Sequence, residues 1–400
     1  MRTILRGSLT LLVPLFFPLV AFGQASRPPV KVGLLLPYTG FLAVIGPDVT
    51  RGLELYLAKT GGKAGGREIQ LLKEDTEAKP DVALTKTRKL VERDRADVLV
   101  GPVQSGEALA MRDYVHGQGV PLIVPVAGTR ELTAPPKASP WIFRITETSD
   151  QTSYSMGAWV IKKTSHRKMV IMASEFVGAR QQVEAFMAAF REGGGQVVKE
   201  IYAPLNTADF APFLAQVSGL EADAAYVFFA GADAIRFVKA YKEYGLAEKL
   251  PLLAHNALVD DTVLPTMGDA ALGIISVGTY SVALDTPENQ AFVREYEAKY
   301  SFRTTRYTET GYVTGQLIVA ALNALKGEVG DRAKFRDALR NAVTQIHPPR
   351  GPIQFDRYQQ VINHVYVMKV ERQGNKLVSA IVDRIPNVSQ EETWKWWYKP

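Results

Sequence analysis

The 400-residue chain contains no cysteine. That excludes disulfides, thiolate metal sites and lipid attachment through an N-terminal Cys. Histidine is scarce: His116, His166, His255, His347 and His364 stand singly, with no His-x-x-x-His spacing, so no metal site is expected. Charge of one sign is scarce too. Lys and Arg number 47 against 41 Asp and Glu and alternate with them, and a net +6 gives no basic stripe for nucleic acid. It favours anionic solutes only mildly. The catalytic signatures of α/β folds are also missing. There is no Gly-x-Ser-x-Gly, and the Gly61–Gly66 segment lacks the Lys-Ser/Thr and the preceding strand of a phosphate loop. Glu74-Asp75 and Asp260-Asp261 sit at strand ends or in loops, where capping and solvation are the usual roles. Neither an enzyme nor a cofactor is expected.

One long apolar run is present, Leu9–Phe22, broken by Pro14 and Pro18. It is shorter than the ~20 residues of a membrane span. With Arg2 and Arg6 before it and Ala21, Gly23 and Ala25 after, residues 1–25 read as a cleaved signal peptide. Cleavage leaves ~375 residues and a charge of about +4. That length exceeds what one core organises, so two domains are expected.

Short apolar runs then alternate with amphipathic stretches. Lys31–Pro37 lacks period-2 alternation, as a strand covered on both faces should. A helix follows with Val49, Leu53, Tyr56 and Leu57 on one face, and the same grammar repeats to Val126. A second run starts after Ile145, with strands at 168–173, 196–202, 224–230 and 250–254. Beyond Ile274 come three helices, 287–299, 310–325 and 332–341, then a strand at 353–355 and a hairpin turning at Gln373-Gly374-Asn375. The reading is α/β: two doubly wound Rossmann-like lobes joined by a hinge. Residues 28–147 plus 277–350 form lobe 1, 148–276 plus 351–385 form lobe 2, and 386–400 form an aromatic tail holding three of the five tryptophans.

Open α/β sheets bind ligands beyond the carboxyl ends of their strands. There the chain offers the turn-rich loop Pro37–Gly46, and Gly101-Pro-Val-Gln-Ser-Gly106, which presents Gln104 and Ser105 at a helix start. Free helix N–H groups and a hydroxyl suit a carboxylate.

At these residues the chain resembles the branched-chain amino acid-binding family, the type I periplasmic receptors of ABC importers. The likeness runs through Val32-Gly-Leu-Leu-Leu-Pro-Tyr-Thr-Gly40, Leu99-Val-Gly-Pro-Val-Gln-Ser-Gly106, Val120-Pro-Leu-Ile-Val-Pro125, Thr207-Ala-Asp-Phe-Ala-Pro-Phe213, Gly268-Asp-Ala-Ala-Leu-Gly-Ile-Ile275 and Pro349-Arg-Gly-Pro-Ile-Gln-Phe-Asp356. The resemblance implies a monomeric periplasmic receptor whose lobes close on a solute and then dock on an inner-membrane permease.

It also implies a carboxylate grip at Ser105 and along Val126, Ala127 and Gly128, with Thr129 beside the position where amino acid binders carry threonine. Those binders place a carboxylate for the α-ammonium where this chain has Asn256, and a tyrosine where it has Phe176. Tyr38 and Phe229 add aromatic surface. An ammonium without a counter-charge in a closed cleft costs several kcal/mol. The resemblance therefore points to the branch taking benzoate-like and phenylpropanoid acids, with a branched-chain amino acid or amide receptor, or a sensor domain of the same fold, as the alternatives. Glu175, Asp233 and Glu309 are the residues that would restore an ammonium partner, and Arg130 is a rival carboxylate partner.

Overall fold

The computed structural model describes residues 27–398, so the expected signal peptide lies outside the described residues. The first sheet has six strands: β1 (Val30–Leu36), β2 (Lys63–Ala64), β3 (Arg67–Asp75), β4 (Val98–Val100), β5 (Leu122–Val124) and β6 (Ile142–Arg144). Their order is β2-β3-β1-β4-β5-β6, and all pairs except β2–β3 are parallel. Six of the seven β1 residues are buried, which is why no alternation marks the strand: helices cover both its faces. Three helices link the strands, α1 (Ile45–Lys59), α2 (Pro80–Arg88) and α3 (Ser105–Gln118).

The second sheet begins after α4 (Ser149–Lys163). It contains β7 (Lys168–Ser174), β8 (Gln196–Ala203), β9 (Ala224–Phe228), β10 (Leu252–His255) and β11 (Ile275–Gly278), with α5 (Val177–Glu192), α6 (Ala211–Leu214), α7 (Gly231–Glu243) and α8 (Leu264–Met267) between them. Helices α9 (Pro287–Tyr300), α10 (Arg306–Ala324) and α11 (Arg332–Ala342) follow. Then β12 (Gln354–Phe355), β13 (Val361–Gln373) and β14 (Lys376–Val388) join the second sheet, and α12 (Gln390–Thr393) leads into the tail. Strand β11 carries the second sheet two residues past the expected boundary at 276, because it pairs with β10 on one side and β13 on the other.

Discounting the β2 hairpin, both sheets show the same winding, β3-β1-β4-β5-β6 and β8-β7-β9-β10-β11. Each therefore has a switch point beside its first strand, where the connections leave to opposite faces and a crevice opens. The chain passes between the lobes near residues 145–148, 279–286 and 350–353, and α10 and α11 return to cover the first sheet, packing Val313, Leu317, Phe335 and Leu339 against β1. Helices α1 and α10 touch backbone to backbone. A Cβ on Gly52 would stand 1.9 Å from the Thr308 carbonyl oxygen, and one on Gly311 2.0 Å from that of Val49, so only glycine permits the contact. This contact fixes where the first residue of α10, Arg306, sits. Among the described residues no helix is long and apolar enough to cross a membrane.

Candidate functional site

The two switch points face each other across a cavity. Lobe 1 supplies Leu42, Ile45, Val103, Gln104, Ser105, Val126, Gly128, Arg306 and Tyr307. Lobe 2 supplies Ser149, Phe176, Gly178, Gln182, Phe228, Ala230, His255 and Ala257, and Glu147 lies in the crossover between them. The space between them measures about 60 Å³. The lobes are closed over it. Phe41 of lobe 1 meets Phe176 of lobe 2 edge-on at 6.3 Å, and Phe176 meets Phe228 at 6.1 Å. Gly178 lies so near Ser105 that an added Cβ would stand 2.8 Å from its hydroxyl oxygen.

Helix starts converge here. Ser105, Ser149 and Arg306 are the first residues of α3, α4 and α10, and Val177 and Gly178 open α5. Their free N–H groups and dipoles make the cavity electropositive. The Ser105 start is rigid: Gln104 caps α3 by accepting from the Glu107 amide at 2.9 Å, while its own amide donates to the Glu107 carboxylate at 3.0 Å. The Ser105 and Ser149 hydroxyls make no side-chain hydrogen bond among the described residues. The Gln182 amide is oriented by Ser153 through its oxygen and keeps its NH2 group for the cavity.

Burial pushes the Glu107 carboxyl up to about 7, against the pull of the Gln104 and Val103 amides. Its folded value stands above the ordinary 4.5, so its stabilising contribution is complete below pH 4.5 and is lost as pH rises through 7. Urea unfolding should therefore show the stability of wild type declining relative to Glu107→Gln from pH 4.5 to 8. The relative decline is expected to be on the order of 3 kcal/mol. Parallel curves for the two proteins would contradict the assignment.

One carboxylate lines the cavity, and it is fully engaged. Glu147 accepts at one oxygen from the His255 Nε2–H at 3.2 Å and faces the Arg306 guanidinium at 3.2 Å. At the other it accepts from the Thr146 and Thr279 hydroxyls, both at 2.8 Å. Burial alone would raise its pKa, but the Arg306 charge and the His255 hydrogen bond prevail and hold it well below the usual range. His255 accepts from the Ala257 amide at Nδ1 (3.1 Å), which makes it the Nε2–H tautomer. Burial, followed by the Arg306 charge, lowers its pKa, so it is neutral. Arg306 donates to the Asn256 side-chain oxygen Oδ1 at 2.6 Å and still has donors left for the cavity.

Of the residues expected from sequence, Gln104, Ser105, Val126, Gly128 and Phe176 line the cavity. Tyr38 does not: its hydroxyl pairs with Thr50 at 2.8 Å. Ala127 and Thr129 are buried behind Gly128, their carbonyls accepting from Arg144 at 3.4 and 2.5 Å. Phe229 stacks on Phe237 at 4.3 Å in the lobe 2 core, and its neighbour Phe228, on the opposite side of the strand, takes the cavity position. Asn256 is drawn away to Arg306. None of the three reserve carboxylates reaches the cavity. Glu175 pairs with Arg180, Asp233 with Arg236 and Glu309 with Arg350. Arg130 pairs with Asp150 and Glu184 instead.

A family model described as periplasmic binding protein matches residues 29–375. The Leu/Ile/Val-binding protein homolog 6 of Brucella melitensis is 28% identical over 358 residues, 88% of this chain and 90% of that one. The ABC transporter substrate-binding protein of Sphaerobacter thermophilus is 35% identical with a TM-score of 0.84. A solute-binding protein of an ABC transporter from R. palustris, solved in complex with benzoate, is 34% identical with a TM-score of 0.83. Each of these two structural matches covers 90% of this chain and 98% of the other. With two facing switch points, a closed cavity and these relatives, the chain belongs to the periplasmic binding protein family of ABC transporters, and it is a solute-binding protein, not an enzyme.

Proposed function

We propose that the protein is the periplasmic receptor of an ABC importer, capturing a compact aromatic carboxylate of the benzoate class by hinged closure and delivering it to an inner-membrane permease. One observation carries the reading. The cavity's carboxylate, Glu147, already has four protein partners, whereas Ser105, Ser149, Gln182 and Arg306 still offer donors. A free α-ammonium would be buried without a counter-ion, which costs several kcal/mol. A carboxylate finds helix N-termini, hydroxyls and a guanidinium. The rest of the wall, Leu42, Ile45, Phe176, Phe228 and Tyr307, suits a ring. The benzoate held by the R. palustris protein supports the same class.

Calorimetric titration with benzoate, 4-hydroxybenzoate and leucine tests this. Saturable heat is expected from an aromatic acid and none from leucine, with the fold stabilised by ~2.7 kcal/mol at 100 times Kd. Tighter binding of leucine would replace the proposal with the amino acid reading.

A further inference from the structure

Away from the cavity, arginines of lobe 1 reach lobe 2, among them Arg303, which donates to Asp261 and to the Leu377 carbonyl, both at 2.7 Å, and Arg130. Arg130, in the turn after β5, is buried, and its guanidinium reaches Asp150 on α4 at 3.1 Å and, on α5, Glu184 and the Gln181 carbonyl, both at 3.2 Å. The contact is braced by neighbours. The Arg130 amide donates to the Gln181 side chain at 3.1 Å, and Gln181 donates to Glu131 at 2.9 Å. An opening that moves α4 and α5 away from β5 would pull this cation out from between them.

The C-terminal tail closes over the same point. The Trp396 and Trp397 rings lie 4.9 and 5.3 Å from the guanidinium carbon of Arg130, and the Trp397 indole N–H donates to the other oxygen of Asp150 at 3.1 Å. The tail is anchored upstream at the hinge. Gln390 donates to the Thr133 carbonyl at 3.0 Å and to Asp356 at 2.7 Å, and Trp394 packs near Tyr358 at 5.9 Å. The bond from Trp397 to Asp150 holds that indole on the lobe 2 side, and both rings present their faces to a lobe 1 cation, the geometry in which a ring quadrupole attracts a partly desolvated guanidinium.

We infer that the Trp396–Trp397 pair is a latch on Arg130 that favours the closed arrangement of the lobes and so sets affinity from a position that touches no solute. The latch rests on the hinged closure proposed above but not on the identity of the solute, so its test uses none. A Cβ on Gly178 would stand 3.4 Å from the Ser105 Cβ, close to the ~3.5–4.5 Å spacing of disulfides. In a chain without cysteine, Ser105→Cys with Gly178→Cys gives a single cross-link that forms only when the lobes close.

The full-length double-cysteine protein is oxidised without solute and compared with the same protein lacking residues 396–400, and with one carrying Trp396→Phe and Trp397→Phe. Deletion is expected to slow cross-linking by about threefold or more, and the phenylalanine pair, which keeps the ring faces, to restore most of the rate. Melting curves check that all three fold. Equal rates in folded proteins, including no cross-link in any, would overturn the latch. Small-angle scattering on the protein lacking residues 396–400 separates the underlying reading: a radius of gyration identical in its reduced and oxidised forms would mean the lobes do not hinge, and hinging with equal rates would reject the latch alone.

Discussion

Replacing Arg306 with methionine is expected to weaken benzoate binding at pH 7 by about 100-fold or more, read by calorimetry. A hydrogen bond to a charged group contributes about 1.5–3 kcal/mol, and 1.4 kcal/mol corresponds to tenfold in Kd. A second effect adds to it. The variant strands Glu147, which keeps the His255 and threonine hydrogen bonds but loses the cation it faces at 3.2 Å, so a bound carboxylate would meet uncompensated negative charge. Adding Glu147→Gln to Arg306→Met should therefore recover part of the affinity, an interaction between neighbours that simple addition of the two effects would not produce. Binding by Arg306→Met within threefold of wild type would remove Arg306 from the site.

Arg306 also shows where sequence reasoning stops. The βα alternation was legible because parallel strands covered on both faces read as continuous apolar runs, and β1, β7 and β9 lie within a residue or two of the expected positions. The sequence pattern places the start of α10 at Thr310, whereas the helix begins at Arg306. Its capping box is made by Thr305 and Thr308 rather than by a Thr with Glu or Gln three residues on, so the start signal was weak. The four residues lost that way include both Arg306 and Tyr307. Glu147 had a clearer marker, since Thr148-Ser-Asp-Gln151 is a capping box that opens α4 beside it. Its pairing with His255 and Thr279 joins residues more than 100 positions apart, and no local pattern reports that. Phe229 and Phe228 differ by one step along a strand, and only the sheet's register tells which faces the cavity.

Glu147→Gln is expected to push stability and affinity in opposite directions. Removing one partner of a buried pair costs about 3–5 kcal/mol, because the other charge is left uncompensated. Here that charge is Arg306, so the unliganded variant should unfold at lower urea concentration than wild type. The Thr146 and Thr279 contacts at 2.8 Å can survive with an amide oxygen, while the amide NH2 then faces the His255 Nε2–H, so that hydrogen bond is lost along with the charge. A solute carboxylate then becomes the counter-ion Arg306 lacks, and benzoate should bind more tightly, by about tenfold, and restore more stability than it does in wild type. The pH dependence supplies an independent check. Glu147 is held below its ordinary 4.5, so its contribution in wild type is present above pH 4.5 and lost as pH falls through the depressed folded value. The variant has no such contribution to lose, so the stabilities of the two unliganded proteins should converge below pH 4.5. A gap that persists there would mean that Glu147 acts through packing or through the His255 hydrogen bond itself. Weaker benzoate binding by the variant would mean that Glu147, and not the solute, is the anion the cavity is built to hold.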